Sequence, residues 1–211
     1  MSALSTLLTL ADSRLPTGGH VHSGGVEEAV TCRLVVDLAT LEAYLCRRIR
    51  TSGLVTASIA AAVHRGELGI EAAEAETDAR TPAPAARQSS RAQGRGLLRL
   101  ARRVWPGGDW DSLGPKPHLA VTAGRVGLVS GLDPEQSALS IVYTTMTGTA
   151  SAAQRLLALD PGDVAALTFA LAELCEQTAH IAAQGLADLS DPLLDELAQR
   201  HTQRERPLFA S

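Results

Sequence analysis

Hydrophobic positions along this chain recur with a helical period. Leu38, Leu41, Leu45 and Ile49 fall at i, i+3, i+7 and i+11, and Asp37 stands where a helix cap belongs. Three later segments open on Asp followed by Pro: Asp133-Pro134, Asp160-Pro161 and Asp191-Pro192. The Asp oxygen can accept from the free amides of a first turn, and Pro suits the first helical position. Gln136 adds the third-position partner of a capping box. Beyond Asp163, residues Val164, Leu167, Leu171, Leu174, Thr178 and Ile181 trace one largely apolar stripe. No stretch alternates apolar and polar residues for long enough to argue a strand. The pattern predicts helices near 3–12, 24–32, 37–65, 69–79, 86–103, 117–130, 134–158, 162–187 and 191–203. The segment 121–129 is the weakest of these, with Gly124, Gly127 and several valines. Loops are expected at 16–19, 81–84 and 106–117, and the Gly- and Pro-rich last one is the best candidate for a mobile loop.

The expected architecture is all-α: a single-domain compact helical bundle of about eight to ten helices spanning 1–211. With 211 residues, 45% hydrophobic and 20% charged, the chain can bury a core without disulfide or metal staples. A net charge of −4 argues against a generic polyanion binder, and 3% aromatics leave few platforms for stacking bases. No nucleic-acid partner is therefore expected. Cys32, Cys46 and Cys175 are few and scattered, as free thiols in a reducing compartment would be. The first ten residues lack the basic start and apolar run of a secretory signal. The longest uncharged run, 136–154, holds too many Thr, Ser and Gln residues to span a membrane. These features point to a cytoplasmic protein without membrane contact. Within that run, 144–153 is rich in small residues, as suits a buried central helix.

Candidate chemistry is thin. The stretch from Leu15 to Glu27 holds four glycines with His20 and His22 between two helices. It is no phosphate loop: Gly-x-x-x-x-Gly-Lys is missing, and Lys116, the only lysine, lies far off. His20-x-His22 are weak candidates for a metal site, since two imidazoles leave a coordination sphere incomplete. A tight loop with two partly exposed histidines is the plainer alternative. Ser23 lacks the Gly-x-Ser-x-Gly elbow of a nucleophile, so no catalytic residue is assigned. An acidic block (Glu67, Glu71, Glu74, Glu76, Asp78) precedes Arg87, Arg91, Arg95 and Arg99, with Arg102 and Arg103 following. That stripe is either a docking face for an acidic partner or nucleic acid, or a solvated face paired with local acids. At the far end, Leu208 and Phe209 place two apolar groups on a short tail.

Taken together these pieces resemble the UreF family of urease accessory proteins. The opening run Leu7-Leu8-x-Leu10-x-Asp12-Ser13-x-Leu15-Pro16-x-Gly18-Gly19-x-x-His22-Ser23-x-Gly25-x-Glu27 looks like that family's signature. Weaker matches follow in order. They are Ser90-Arg91-x-Gln93-Gly94-Arg95-x-Leu97-Leu98, His118 with Gly124 and Gly131, Ser151-Ala152-Ala153-x-Arg155-Leu156, and the tail with His201 and Leu208-Phe209-Ala210-Ser211. Departures lie at His20, where the family usually has an aromatic, at Leu159 to Asp163, and in the tail at Thr202, Glu205 and Pro207.

The resemblance implies an all-α, usually dimeric protein without catalysis of its own. It implies a scaffold that binds the accessory protein UreD (also called UreH) and the GTPase UreG. The complex acts on the urease apoprotein subunits, and nickel and GTP belong to the partners rather than to this chain as cofactors. On that footing Gly18, Gly19, His22, Ser23, Gly25 and Glu27 form the partner-facing N-terminal element, with Glu27 offering a carboxylate to a basic partner residue. Its plain alternative is a first-turn acid favoured by the helix dipole. Leu208 and Phe209 are expected to anchor the tail, 203–211, on UreD. The runner-up function is a nickel carrier using His20 and His22.

Overall fold

The computed structural model describes residues 2–12, 15–17, 22–205 and 207–209. Gly18, Gly19 and His20 of the Gly-rich loop lie outside them, as do Ser13, Ala210 and Ser211 of the two terminal motifs. The order is α1 (Ala3–Leu10), α2 (Val26–Thr31), α3 (Leu38–Arg48), α4 (Leu54–Arg65), α5 (Ile70–Ala79) and α6 (Pro84–Val104). Then come α7 (Leu119–Ser130), α8 (Pro134–Leu157), α9 (Pro161–Ala170), α10 (Ala172–Gln184) and α11 (Pro192–His201). A π-helical turn, Ile49–Gly53, joins α3 to α4, so 38–65 is one rod and the helical rods among the described residues number ten. Thr51 Oγ1 donates to the Arg47 carbonyl there, and Ser52 Oγ to that of Arg48, as hydroxyls do where a helical ladder loosens. No strand occurs among the described residues, and the fold is all-α as the periodicity predicts.

The Asp caps form as their spacing requires. Asp37 with Thr40 and Asp133 with Gln136 complete capping boxes. Asp160 accepts from the amides of Gly162 and Asp163, and Asp191 from those of Leu193 and Leu194. Each cap satisfies amides that a helix start leaves free, worth about 1 kcal/mol apiece.

Helix α8 is the central element, packed by α4, α7 and α10 and touched by α2 and α3. Ala138, Val142, Met146, Ala150 and Ala153 are buried, and the small side chains let its neighbours approach closely. Helix α7 is regular despite its glycines, because they mark its contacts. A Cβ at Gly124 would run into the Ala60 carbonyl of α4, and one at Gly127 into Ser137 Oγ of α8.

The expected helix 162–187 breaks at Leu171, which ends α9 and starts α10. The break resets the helical register. Val164, Leu167, Leu171 and Thr178 are buried, whereas Ile181 is exposed and Cys175, Ala179 and Ala182 point inward instead. The segment 106–117 is anchored rather than open: Trp110 and Leu113 are buried, and Trp110 Nε1 donates to the Trp105 carbonyl at 2.6 Å. Among the described residues no helix is long and apolar enough to cross a membrane.

Candidate functional site

The two ends of the chain meet. Asp191 does two jobs at the start of α11: it caps the helix and receives the Arg47 fork, with Nε–Oδ2 at 2.6 Å and Nη2–Oδ1 at 2.7 Å. Burial alone would raise the Asp191 pKa, but the Arg47 fork and the Leu194 amide outweigh it and hold the carboxyl below its usual range. This pair ties α11 to α3 and aims its last residue, His201, at α2.

Helix α2 starts on a tight turn. Gly25 has φ +84° and a Cβ there would lie 2.9 Å from Tyr44 Oη, so the position accepts glycine alone without strain. The Gly24 carbonyl accepts from Tyr44 Oη at 2.9 Å and from Arg48 Nη1 at 2.7 Å. Burial pushes the Tyr44 phenol up to about 12, so it remains a donor. These contacts fix the first turn of α2 and with it the direction of Glu27.

Glu27 is 2% exposed. His201 Nε2 donates to its Oε2 at 2.7 Å, the Leu208 amide to Oε1 at 2.9 Å and the Phe209 amide to Oε2 at 3.1 Å. Burial again works against the ionised form, but the His201 bond and the two tail amides prevail and lower its pKa. Beside it, Arg204 Nη1 donates to Glu28 Oε2 at 3.1 Å and to Thr31 Oγ1 at 2.6 Å. One carboxylate thus clasps the tail to α2, and Arg204 fastens it a second time. Phe209 packs inward against the core, while Leu208 stands 77% exposed. Phe209, Gly25, His22 and Arg48 border a cleft of about 330 Å³.

The remaining residues singled out in the sequence sit around this clasp. Ser23 is fully buried, and its Oγ has no hydrogen-bond partner among the described residues. His22 is half-buried with Nδ1 3.0 Å from Ser89 Oγ of α6. Among the described residues no group of three or more His, Cys, Asp and Glu side chains is arranged to hold a metal ion. Glu27 faces the interior of its own chain in this arrangement and not solvent. Its partners His201 and Arg204, and the Arg47–Asp191 pair that places α11, are not singled out in the sequence as site residues. Only the Asp191-Pro192 cap and the tail motif with His201 gave any signal.

A model of the UreF family matches residues 35–172. The relatives extend the likeness to both ends. The urease accessory protein UreF of Mycolicibacterium vanbaalenii is 76% identical over 214 residues, covering all of both chains. Those of Mycobacterium sp. strain JLS and Mycobacterium tuberculosis strain H37Rv are 74% and 71% identical over 211 residues, again at full coverage. The chain belongs to the UreF family. Its relatives are named for an accessory role in urease biology rather than a catalytic one. The matched core, 35–172, excludes both the opening motif and the tail, so the clasp lies at the margins of what the family model spans.

Proposed function

We propose that the chain is a non-enzymatic adaptor of urease activation. In this reading it binds UreD (UreH), and the pair recruits the GTPase UreG, which brings nickel to the urease apoprotein subunits. Nickel is cargo and GTP is the partner's nucleotide; the chain holds neither as a cofactor. It works in the cytoplasm as a homodimer. The observation that carries the reading is the clasp. A tail bearing an exposed Leu208 is held beside the Gly-rich turn by the buried Glu27. An adaptor needs a docking element that is ordered before its partner arrives, because ordering it on binding would weaken the complex.

The docking element comprises Gly18, Gly19, His22, Ser23, Gly25 and Glu27 with Leu208 and Phe209. Glu27 acts through the tail it positions. Leu208 supplies the apolar anchor for UreD, the kind of group that dominates interface energy once buried. The test is urease activity in cells deleted for the chain's gene. Activity returns when the full chain is supplied; equal activity with and without it would contradict the reading.

A further inference from the structure

The arginines of α6 divide into two sets. Arg91 Nη1 is 2.7 Å from Glu74 Oε2, its Nη2 is 2.9 Å from Asp78 Oδ2, and Arg87 Nε is 3.8 Å from Asp78 Oδ1. These belong to the N-terminal half of α6 and are matched by α5. Arg95, Arg99 and Arg103 are exposed and form no ion pair among the described residues. Two geometric facts separate the sets. A four-residue step overshoots a 3.6-residue turn, so each successive arginine is rotated by about 40° away from the α5 side. Moreover α5 has ten residues against the twenty-one of α6, roughly 15 Å against 31 Å, so α6 runs on well past it.

The rotation of α6 is locked. A Cβ at Gly94 would strike the Pro117 and His118 backbone, and one at Gly96 the Thr17 backbone. Ser90 Oγ bonds His118 Nδ1 at 2.9 Å on the same inner side. With Gly94 and Gly96 turned inward, Arg95 between them, Arg99 and Arg103 are left on the outer surface. Three like charges at one-turn spacing repel and weaken the helix that carries them. Arg102, on the same helix, is matched by an acid: its Nη2 is 2.7 Å from Asp111 Oδ1. Thr17 also brings the N-terminal loop against this part of α6.

We infer that Arg95, Arg99 and Arg103 form a second docking surface, for an acidic protein face that presents carboxylates at one-turn spacing of about 6 Å. The inference rests on the adaptor reading, and the partner is a member of that complex. Charge complementarity selects the occupant. The planar guanidinium forks match carboxylates two bonds at a time. Nucleic acid is disfavoured by the net charge of −4 and by 3% aromatics.

The test uses the tagged full chain co-expressed with UreD, UreG and the urease subunits, captured at about 50 and about 300 mM salt. In the triple variant Arg95→Glu, Arg99→Glu, Arg103→Glu, capture of at least one of these proteins falls about tenfold at the lower salt. The triple lysine variant retains most of it, and higher salt weakens the unaltered chain in the same direction. Helicity by circular dichroism stays that of the unaltered chain, because all three side chains are exposed. Equal capture by the glutamate variant would overturn the second surface alone. Capture of none of these proteins by the unaltered chain would overturn the adaptor reading and this inference with it. A shift of duplex DNA at about 150 mM salt that the glutamate variant abolishes would reassign the surface to nucleic acid.

Discussion

Glu27 occupies a position where one atom change separates a held tail from a free one. Its carboxylate receives the His201 imidazole and two backbone amides, 174 or more residues away along the chain. Charge-assisted bonds of this kind contribute about 1.5–3 kcal/mol each to what they join. Glu27→Gln keeps the shape and removes the charge. Trypsin cleavage after Arg204 is expected to become at least about tenfold faster in that variant, and urease activation to fall. Cleavage at the unaltered rate would mean that other contacts hold the tail. The opening motif marks Glu27 and leaves two readings open, a carboxylate offered to a partner and a first-turn acid of α2. No local pattern can report a bond to a residue at the opposite end of the chain, and the buried outcome depends on α11 being placed by Asp191 and Arg47. Glycine at 25 was legible for a simpler reason: a turn that needs positive φ writes itself into one residue.

At the scale of elements, caps and periodicity were enough for most of the helices. As helix caps, Asp37, Asp133, Asp160 and Asp191 each act within four residues of themselves, so that role can be read locally. The break at Leu171 could not, because it carries neither Pro nor Gly and the apolar stripe runs through it. The acidic and basic blocks were visible, but their division into paired and unpaired halves depends on the relative lengths of α5 and α6. The join between those helices and α7 makes a pH prediction. His118 is fully buried, with Nδ1 on Ser90, Nε2 2.9 Å from Asp78 Oδ1, and Glu74 and Arg91 beside it. Burial lowers its pKa more than the Asp78 bond raises it, and burial likewise lowers that of His64, whose Nδ1 lies 2.8 Å from Ser137 Oγ. Unfolded histidine therefore takes up protons at a pH where these two stay neutral. Their contribution to stability is complete above the usual histidine range, near 6.5, and is lost as pH falls through their lowered values. Glu27, Asp78 and Asp191, whose pKa values are also lowered, extend the loss into the carboxylate range. The melting temperature should be lower at about pH 5 than at about pH 7.5, and His64→Gln should flatten that difference. A pH-independent melting temperature would show that neither histidine is held neutral.

The whole molecule joins a helical frame built on α8 to a clasp that closes chain start on chain end. The frame was legible because helix period and caps are local; the clasp was not, because it is an arrangement of distant parts. Its family likeness was legible at the motifs, and the full-length match to mycobacterial relatives agrees with them. The central claim is that this clasp is the docking element of an adaptor. The most direct test compares the tagged full chain with the same chain lacking 203–211, each co-expressed with UreD and UreG. The full chain should capture UreD, and UreG only when UreD is present, while the shortened chain, still helical by circular dichroism, should capture neither. Undiminished capture of UreD by the shortened chain would contradict the account.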